Sequence, residues 1–168
     1  PLEGDVRLSG GEIRLRAEVQ DGRGSPRWSG KLELEDGQVK VVSLGQEVRE
    51  IRLLLEGNNE RLLVKEARGT FGEGRFQATG EVTWSPRPRI SLWVEGREFE
   101  VAKWSRWLRL RGDLVPSGTV EFGARIKGPV DDFSIVGELA SSRLVVSGQP
   151  LSDLRARFRL KDGTLFLE

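Results

Sequence analysis

Hydrophobic and polar residues alternate through most of this chain, and the stretch from Thr70 to Trp84 shows the pattern most clearly. From Arg75 to Trp84 every second residue is apolar or small, and the residues between them are polar. Successive side chains of a β-strand point to opposite faces of the sheet, so this period of two predicts a strand with one apolar and one polar face. Similar runs recur along the chain and predict an all-β protein.

Turn signals separate these runs. Asp21-Gly22, Asp36-Gly37, Asn58-Asn59 and Asp162-Gly163 lie between alternating segments, and such pairs favour the positive backbone angles of hairpin turns. A further break is expected at Gly10-Gly11. Because hairpin-length connections join antiparallel neighbours, the spacing predicts an antiparallel meander of roughly a dozen strands.

One segment departs from this period. Trp104, Trp107 and Leu108 stand at i, i+3 and i+4, which predicts one short helix near residues 102–109. Two tryptophans at this spacing commonly dock a short helix, and here they would also suit a plug at the end of a trough.

The chain also contains a loose internal repeat, which relates residues 30–65 to residues 137–168. The run that begins at Gly45 resembles the run that begins at Gly148. Each has Gly-Gln, then three variable residues, then an acidic residue and finally Ile or Leu. The chain starts at Pro1 and contains no Met. We therefore expect residues 1–168 to be a single β segment of a longer protein.

The apolar faces of these strands must be covered, because burial contributes roughly 25 cal/mol per Å² of apolar surface. One sheet can bend into a trough with an apolar interior, two sheets can pack as a β-sandwich, or one sheet can close into a barrel. A membrane barrel is excluded, since its outer face would be apolar and here that face carries Arg and Glu. The pattern leaves the trough and the sandwich open.

Charge and composition narrow the function classes. The 27 basic and 26 acidic residues interleave and give a net charge of +1, whereas a nucleic-acid-binding surface gathers Lys and Arg without matching acids. The chain has no His, Cys or Tyr, so the usual catalytic bases and nucleophiles are missing. Asp131-Asp132 beside Gly128-Pro129 are typical turn residues. We therefore expect a non-enzymatic protein without a metal site, a cofactor or a nucleic-acid partner.

Several motifs resemble those of TamB-type proteins of the AsmA-like superfamily, which act in bacterial envelopes as translocation and assembly modules. These motifs are Gly-x-Gly-x-Phe-x-x-x-Gly-x-Val from Gly72 to Val82, Gly-Pro-Val-x-x-Phe-x-Ile-x-Gly-x-Leu from Gly128 to Leu139, and Asp-Gly-x-Val from Asp36 to Val39. The Gly-Gln elements at Gly45 and Gly148 also fit. The resemblance covers most of the chain.

This resemblance implies an elongated, curved antiparallel sheet, a β-taco or half-pipe, within a periplasmic protein that is anchored in the inner membrane by a segment outside this chain. It also implies conduction of phospholipid between the inner and outer membranes, support of outer-membrane protein assembly, and a BamA-like partner that engages other parts of the full-length protein. The alternative is a β-sandwich module that binds glycan or a protein through exposed tryptophans.

If lipid conduction holds, the inward apolar residues would line the groove and contact acyl chains. The predicted lining consists of Leu15, Val19, Leu34, Val41, Ile51, Leu53, Leu55, Phe76, Val82, Trp84, Ile90, Leu92, Val94, Phe122, Ile126, Phe158 and Leu160. In a sandwich, the same residues would contact one another in a closed core.

Overall fold

A computed structural model describes residues 6–20, 27–41, 46–84, 86–102, 116–161 and 164–167. These residues form an all-β structure. Its strands are β1 (Val6–Gln20), β2 (Arg27–Val41), β3 (Gln46–Asn58), β4 (Arg61–Phe71), β5 (Gly74–Thr83), β6 (Arg89–Glu100), β7 (Pro116–Pro129), β8 (Ser134–Val146), β9 (Gln149–Lys161) and β10 (Thr164–Leu167).

The ten described strands form one sheet in the order in which they occur along the chain, and every neighbouring pair is antiparallel. The predicted meander is therefore confirmed. The sheet is open and curved, as the half-pipe prediction requires. A sandwich needs two sheets, so that alternative is wrong for the described strands.

Two of the predicted chain breaks are instead bulges inside long strands. Gly10-Gly11 lies within β1 and Asp36-Gly37 within β2, and the register between the two strands shifts at both places. Gly11 and Asp36 have positive φ, 118° and 50°. A bulge adds a residue to one strand and bends it, so these turn-like pairs bend a continuous strand, and the sheet has fewer, longer strands than predicted.

Further bulges recur across the sheet and account for its curvature. The ladders shift register between Arg49 and Arg52 in β3 and between Gly96 and Phe99 in β6. Glu50 and Glu98, inside these two intervals, have φ of 53° and 60°. Since each bulge bends its strand and increases its local twist, a series of them curves the whole sheet.

Each copy of the loose repeat falls on three consecutive strands. Residues 30–65 cover most of β2, all of β3 and the start of β4, and residues 137–168 cover most of β8, all of β9 and β10. Glu50 and Asp153 are the acidic residues five positions after Gly45 and Gly148, and both have positive φ, 53° and 51°. The shared Gly-Gln-x-x-x-acid motif thus contains a backbone bend in both copies.

The predicted helix near residues 102–109 falls almost entirely outside the described residues. Val101 and Ala102, which directly follow β6, are helical. The tryptophans of that segment, Trp104 and Trp107, lie outside the described part of the chain.

The β3–β4 hairpin has the turn that Asn58-Asn59 predicts. The Asn58 Oδ1 atom accepts hydrogen bonds from the backbone N–H groups of Glu60 (2.9 Å) and Arg61 (3.0 Å). The Asn59 Oδ1 atom accepts one from the backbone N–H of Trp28 (2.7 Å). An amide side chain that bonds the backbone two or three residues ahead stabilises a tight turn.

We expect Asn58→Ala to lower the free energy of unfolding by about 1 kcal/mol, because two backbone N–H groups lose their acceptor. Urea denaturation followed by circular dichroism measures the change. Glu73→Ala, in the exposed β4–β5 turn, is the matched control and should change stability by less than about 0.5 kcal/mol. Equal effects of the two substitutions would contradict this role of Asn58.

Candidate functional site

Directly paired residues of neighbouring strands share a face, so the strand register assembles apolar side chains into rows that cross the sheet. The long apolar row takes one residue from each of the ten strands. Its members are Leu15, Leu32, Leu55, Val64, Gly80, Leu92, Ile126, Ile135, Leu160 and Leu165, of which Leu165 is placed by its backbone pairing alone. At about 4.8 Å between strands, this row spans roughly 43 Å.

A second apolar row runs beside the first and is also complete. Its members are Ile13, Leu34, Leu53, Ala67, Ala78, Val94, Ala124, Gly137, Phe158 and Leu167, of which Leu167 is placed by its backbone pairing alone. From Ala67 to Gly137 this row holds three alanines, Val94 and a glycine, all shorter than Leu92, Ile126 and Ile135 in the long apolar row beside it. The middle of the apolar face therefore has a furrow of shorter residues.

The other side of the furrow is a row in which aromatic residues alternate with glycine. Gly69 pairs with Phe76, Phe76 with Gly96, and Gly96 with Phe122, which pairs in turn with Leu139. A Cβ on Gly69 would lie 3.1 Å from the Phe76 ring, and one on Gly96 would lie 2.3 Å from the Phe122 ring. The edge of each ring therefore occupies the space that a Cβ on the neighbouring glycine would need.

The register places most of the predicted lining residues together. Leu15, Leu55, Leu92, Ile126 and Leu160 belong to the long apolar row, and Leu34, Leu53, Val94 and Phe158 to the second. Phe76 and Phe122 are in the aromatic–glycine row, and Ile51 lies across from Gly37 on the same face. Val82 pairs with Ile90, and Val19 with Trp28.

Val41 and Trp84 lie outside the two apolar rows. Val41 pairs with Val6 and Gln46 at the end of β2, and the structure describes its backbone only. Trp84 lies just beyond β5, is 39 % exposed, and donates from its indole Nε1 to the Asn58 carbonyl oxygen at 3.3 Å. Trp84 therefore marks the rim of the apolar face at the β3–β4 turn.

The apolar face is half-open. Among the described side chains, the buried apolar ones are Phe99, Ala124, Leu144 and Leu34, and most of the remaining lining is half-buried. At the β1 edge Leu15 and Val19 are each 71 % exposed. An apolar surface that is continuous but incompletely covered is characteristic of a binding face.

Phe99 belongs to this face although the alternation places it on the other side. Counting by twos from Val94 assigns Phe99 to the polar face, but the bulge after Gly96 shifts the register by one position. Phe99 is 3 % exposed, stacks on Phe71 at 6.4 Å, and meets Phe122 edge-on at 5.1 Å. The sequence signal for this exception is Phe99 itself, a large aromatic at a position that the period of two assigns to solvent.

The opposite face of the sheet is charged and carries cross-strand ion pairs. Arg52 pairs with Glu35 at 3.2 Å, and Arg75 with Glu98 at 3.4 Å. A shallow concavity of about 1050 Å³ extends over this face from β2 to β7 and is lined largely by such charged residues. These exposed pairs each contribute little to stability, but they keep this face hydrated.

On the same face Glu95 anchors two neighbours. The Trp93 indole N–H donates to it at 2.8 Å and the Gln77 amide at 2.7 Å. These hydrogen bonds, from Trp93 first and then from Gln77, lower the pKa of Glu95 below its ordinary value. The Trp93 ring is thereby fixed on the charged face, opposite the apolar rows.

Comparisons with protein-family models, curated proteins and solved structures gave no match to this chain. Within the described residues, no cluster of three or more acidic side chains is arranged to hold a metal ion. The same part of the chain contains no helix long and apolar enough to cross a membrane. The fold and the two contrasting faces therefore define the class of protein: an open, curved, all-β sheet with one apolar face.

Proposed function

We propose that this chain is a non-enzymatic, lipid-conducting segment of a TamB-type envelope protein, in which the apolar face carries the acyl chains of phospholipid. The observation that supports this proposal is the pair of complete apolar rows across the ten described strands. A hydrocarbon chain makes no directional bonds, so it needs a continuous apolar surface more than a shaped pocket. The rows provide that surface along their whole length.

The surface shape of the apolar face suits a mobile hydrocarbon chain. The furrow from Ala67 to Gly137 runs at right angles to the strands, and rows on one face are separated by two residues, about 7 Å along the strand. The flanking rows are therefore roughly 14 Å apart, which leaves room for an acyl chain over the small residues. In the aromatic–glycine row, Gly69 and Gly96 have no side chain that would obstruct a chain moving along the furrow.

In this proposal the segment works in the periplasm, within an inner-membrane-anchored protein, and transfers phospholipid between the inner and outer membranes. The protein binds the acyl chain of the phospholipid, and the headgroup stays at the open, hydrated side of the curved sheet. A BamA-like partner would bind elsewhere on the full-length protein and connect lipid supply to outer-membrane protein assembly. The chemistry on this chain is binding and guidance, without a catalytic step.

Site-specific photo-crosslinking in cells tests the proposal. A photoreactive amino acid at Ile51 or Leu53 should capture phospholipid, because both side chains lie on the apolar face of β3. Mass spectrometry of the irradiated, purified protein identifies the adduct.

The matched control is the same photoreactive residue at Arg52, which lies between the two test positions and points to Glu35 on the charged face. This position should give background capture. Absence of lipid at both Ile51 and Leu53, or equal capture at all three positions, would overturn the proposal.

A further inference from the structure

One part of the charged face differs from the rest. From β6 to β10 the register aligns Trp93, Arg125, Val136, Arg159 and Phe166 as direct cross-strand neighbours. We call these five residues the cation–apolar row. Its three apolar members are well exposed: Trp93 42 %, Val136 49 % and Phe166 53 %. Aromatic or aliphatic groups and cations thus alternate over five strands on the hydrated side of the sheet.

Positive charge accumulates around this row. Lys127 stands beside Arg125 on β7, and Arg157 and Lys161 flank Arg159 on β9 with the same face orientation. A shallow concavity of about 880 Å³ lies here, and the one acidic residue among its described lining is Glu138, which pairs with Arg157 at 3.2 Å.

No described carboxylate forms an ion pair with either of the two central cations, Arg125 and Arg159. The Arg125 guanidinium lies 5.8 Å from the centre of the Trp93 ring, a cation–π contact that leaves its charge available. Within the described residues neither Arg125 nor Arg159 forms an ion pair, whereas Arg52, Arg61, Arg68 and Arg75 each do. Five cations, Arg125, Lys127, Arg157, Arg159 and Lys161, stand here against two carboxylates, Glu95 beside Trp93 and Glu138, so this end of the charged face presents excess positive charge.

We propose that the cation–apolar row is a docking surface for an anionic phospholipid bilayer. Lys and Arg beside a membrane are attracted to anionic headgroups, and Trp and Phe insert at the boundary between headgroups and acyl chains. An acidic polypeptide would satisfy the cations but gives no reason for three exposed apolar side chains between them. The alternation of both types in one row favours the bilayer.

This docking surface is independent of the lipid-conducting face. Trp93 and Leu92 are consecutive residues of β6 and therefore point to opposite faces of the sheet. Docking uses the charged face near β6–β10, and conduction uses the apolar rows. A variant that loses one property is expected to keep the other.

Vesicle co-sedimentation tests the proposal. The chain should bind vesicles of phosphatidylglycerol and phosphatidylcholine mixed in equal parts, and bind pure phosphatidylcholine much more weakly. Because each cation near an anionic surface changes partitioning about fivefold, Arg125→Glu with Arg159→Glu should weaken binding by at least about tenfold. Trp93→Ala should also weaken it.

The control is Arg16→Glu with Arg87→Glu, which makes the same change of net charge at exposed positions outside the row. It should retain most of the binding, and circular dichroism should show the same sheet content in all variants. The proposal is wrong if anionic vesicles are not bound, or if both double variants lose binding equally. It is also wrong if polyglutamate binds as well as the vesicles do and Trp93→Ala has no effect, since an acidic polypeptide would then be the partner.

Discussion

Leu92→Asp is expected to abolish lipid occupancy of the protein while the sheet stays folded. Leu92 lies at the centre of the long apolar row, paired with Gly80 and Ile126, and its side chain is half-buried. A carboxylate among acyl chains costs about 3 kcal/mol, which corresponds to a loss of about 100-fold in occupancy. Since the face is open, the carboxylate can reach water when lipid is absent, and stability should fall by about 1 kcal/mol. Mass spectrometry of co-purified lipid and urea denaturation measure the two effects.

Ser91→Asp is the matched control for this prediction. It introduces the same charge one residue earlier in β6, on the charged face between Glu81 and Lys127. Lipid occupancy should remain at the level of the unmodified protein. If Leu92→Asp unfolds the protein, the apolar rows form a closed core. If it retains lipid, they do not hold the acyl chains.

The strand pattern was the most predictable part of this fold. β5 runs from Gly74 to Thr83, and its ladder with β6 covers nine residue pairs, from Arg75 to Thr83, without a register shift. Where no bulge interrupts a strand, counting by twos assigns each side chain to the correct face. For this reason the residues around Phe76, Leu92 and Val94 could be placed on one face from the sequence.

Bulges limited the prediction elsewhere. The pair Asp36-Gly37 has the composition of a hairpin turn, yet it bends a continuous strand, because the register with β1 and β3 resumes on either side. The same kind of irregularity reverses the alternation before Phe99. Local sequence specifies that a residue prefers positive φ, but whether the chain reverses or only bends depends on the strands paired beside it.

The rows across the sheet also could not be predicted from the sequence. Alternation gives the face of each residue within its strand, whereas the furrow depends on which residues of ten strands stand side by side. The small residues Ala67, Ala78 and Ala124 are unremarkable in sequence, and the register alone aligns them. The pairing of glycine with aromatic residues on neighbouring strands is likewise a property of register.

Gly96→Ala is expected to destabilise the protein by about 2 kcal/mol, although alanine is ordinarily at least as favourable as glycine inside a strand. A Cβ at this position would lie 2.3 Å from the Phe122 ring and 2.8 Å from the Phe99 ring. Both rings would have to leave their positions, and the edge-on contact between Phe99 and Phe122 would loosen. Gly10→Ala is the control, since a Cβ there would lie 3.6 Å or more from its neighbours. Urea denaturation compares the two.

A double-substitution cycle shows whether the collision with Phe122 causes this loss. Phe122→Ala alone removes a large apolar side chain and should cost about 3 kcal/mol. If Gly96 is required because the Phe122 ring covers it, adding Gly96→Ala to Phe122→Ala should cost at least about 1 kcal/mol less than Gly96→Ala costs in the unmodified protein. Strictly additive losses would mean that Gly96 is needed for another reason. The expected coupling would show that position 96 must be glycine because the edge of the Phe122 ring occupies the space of a Cβ there.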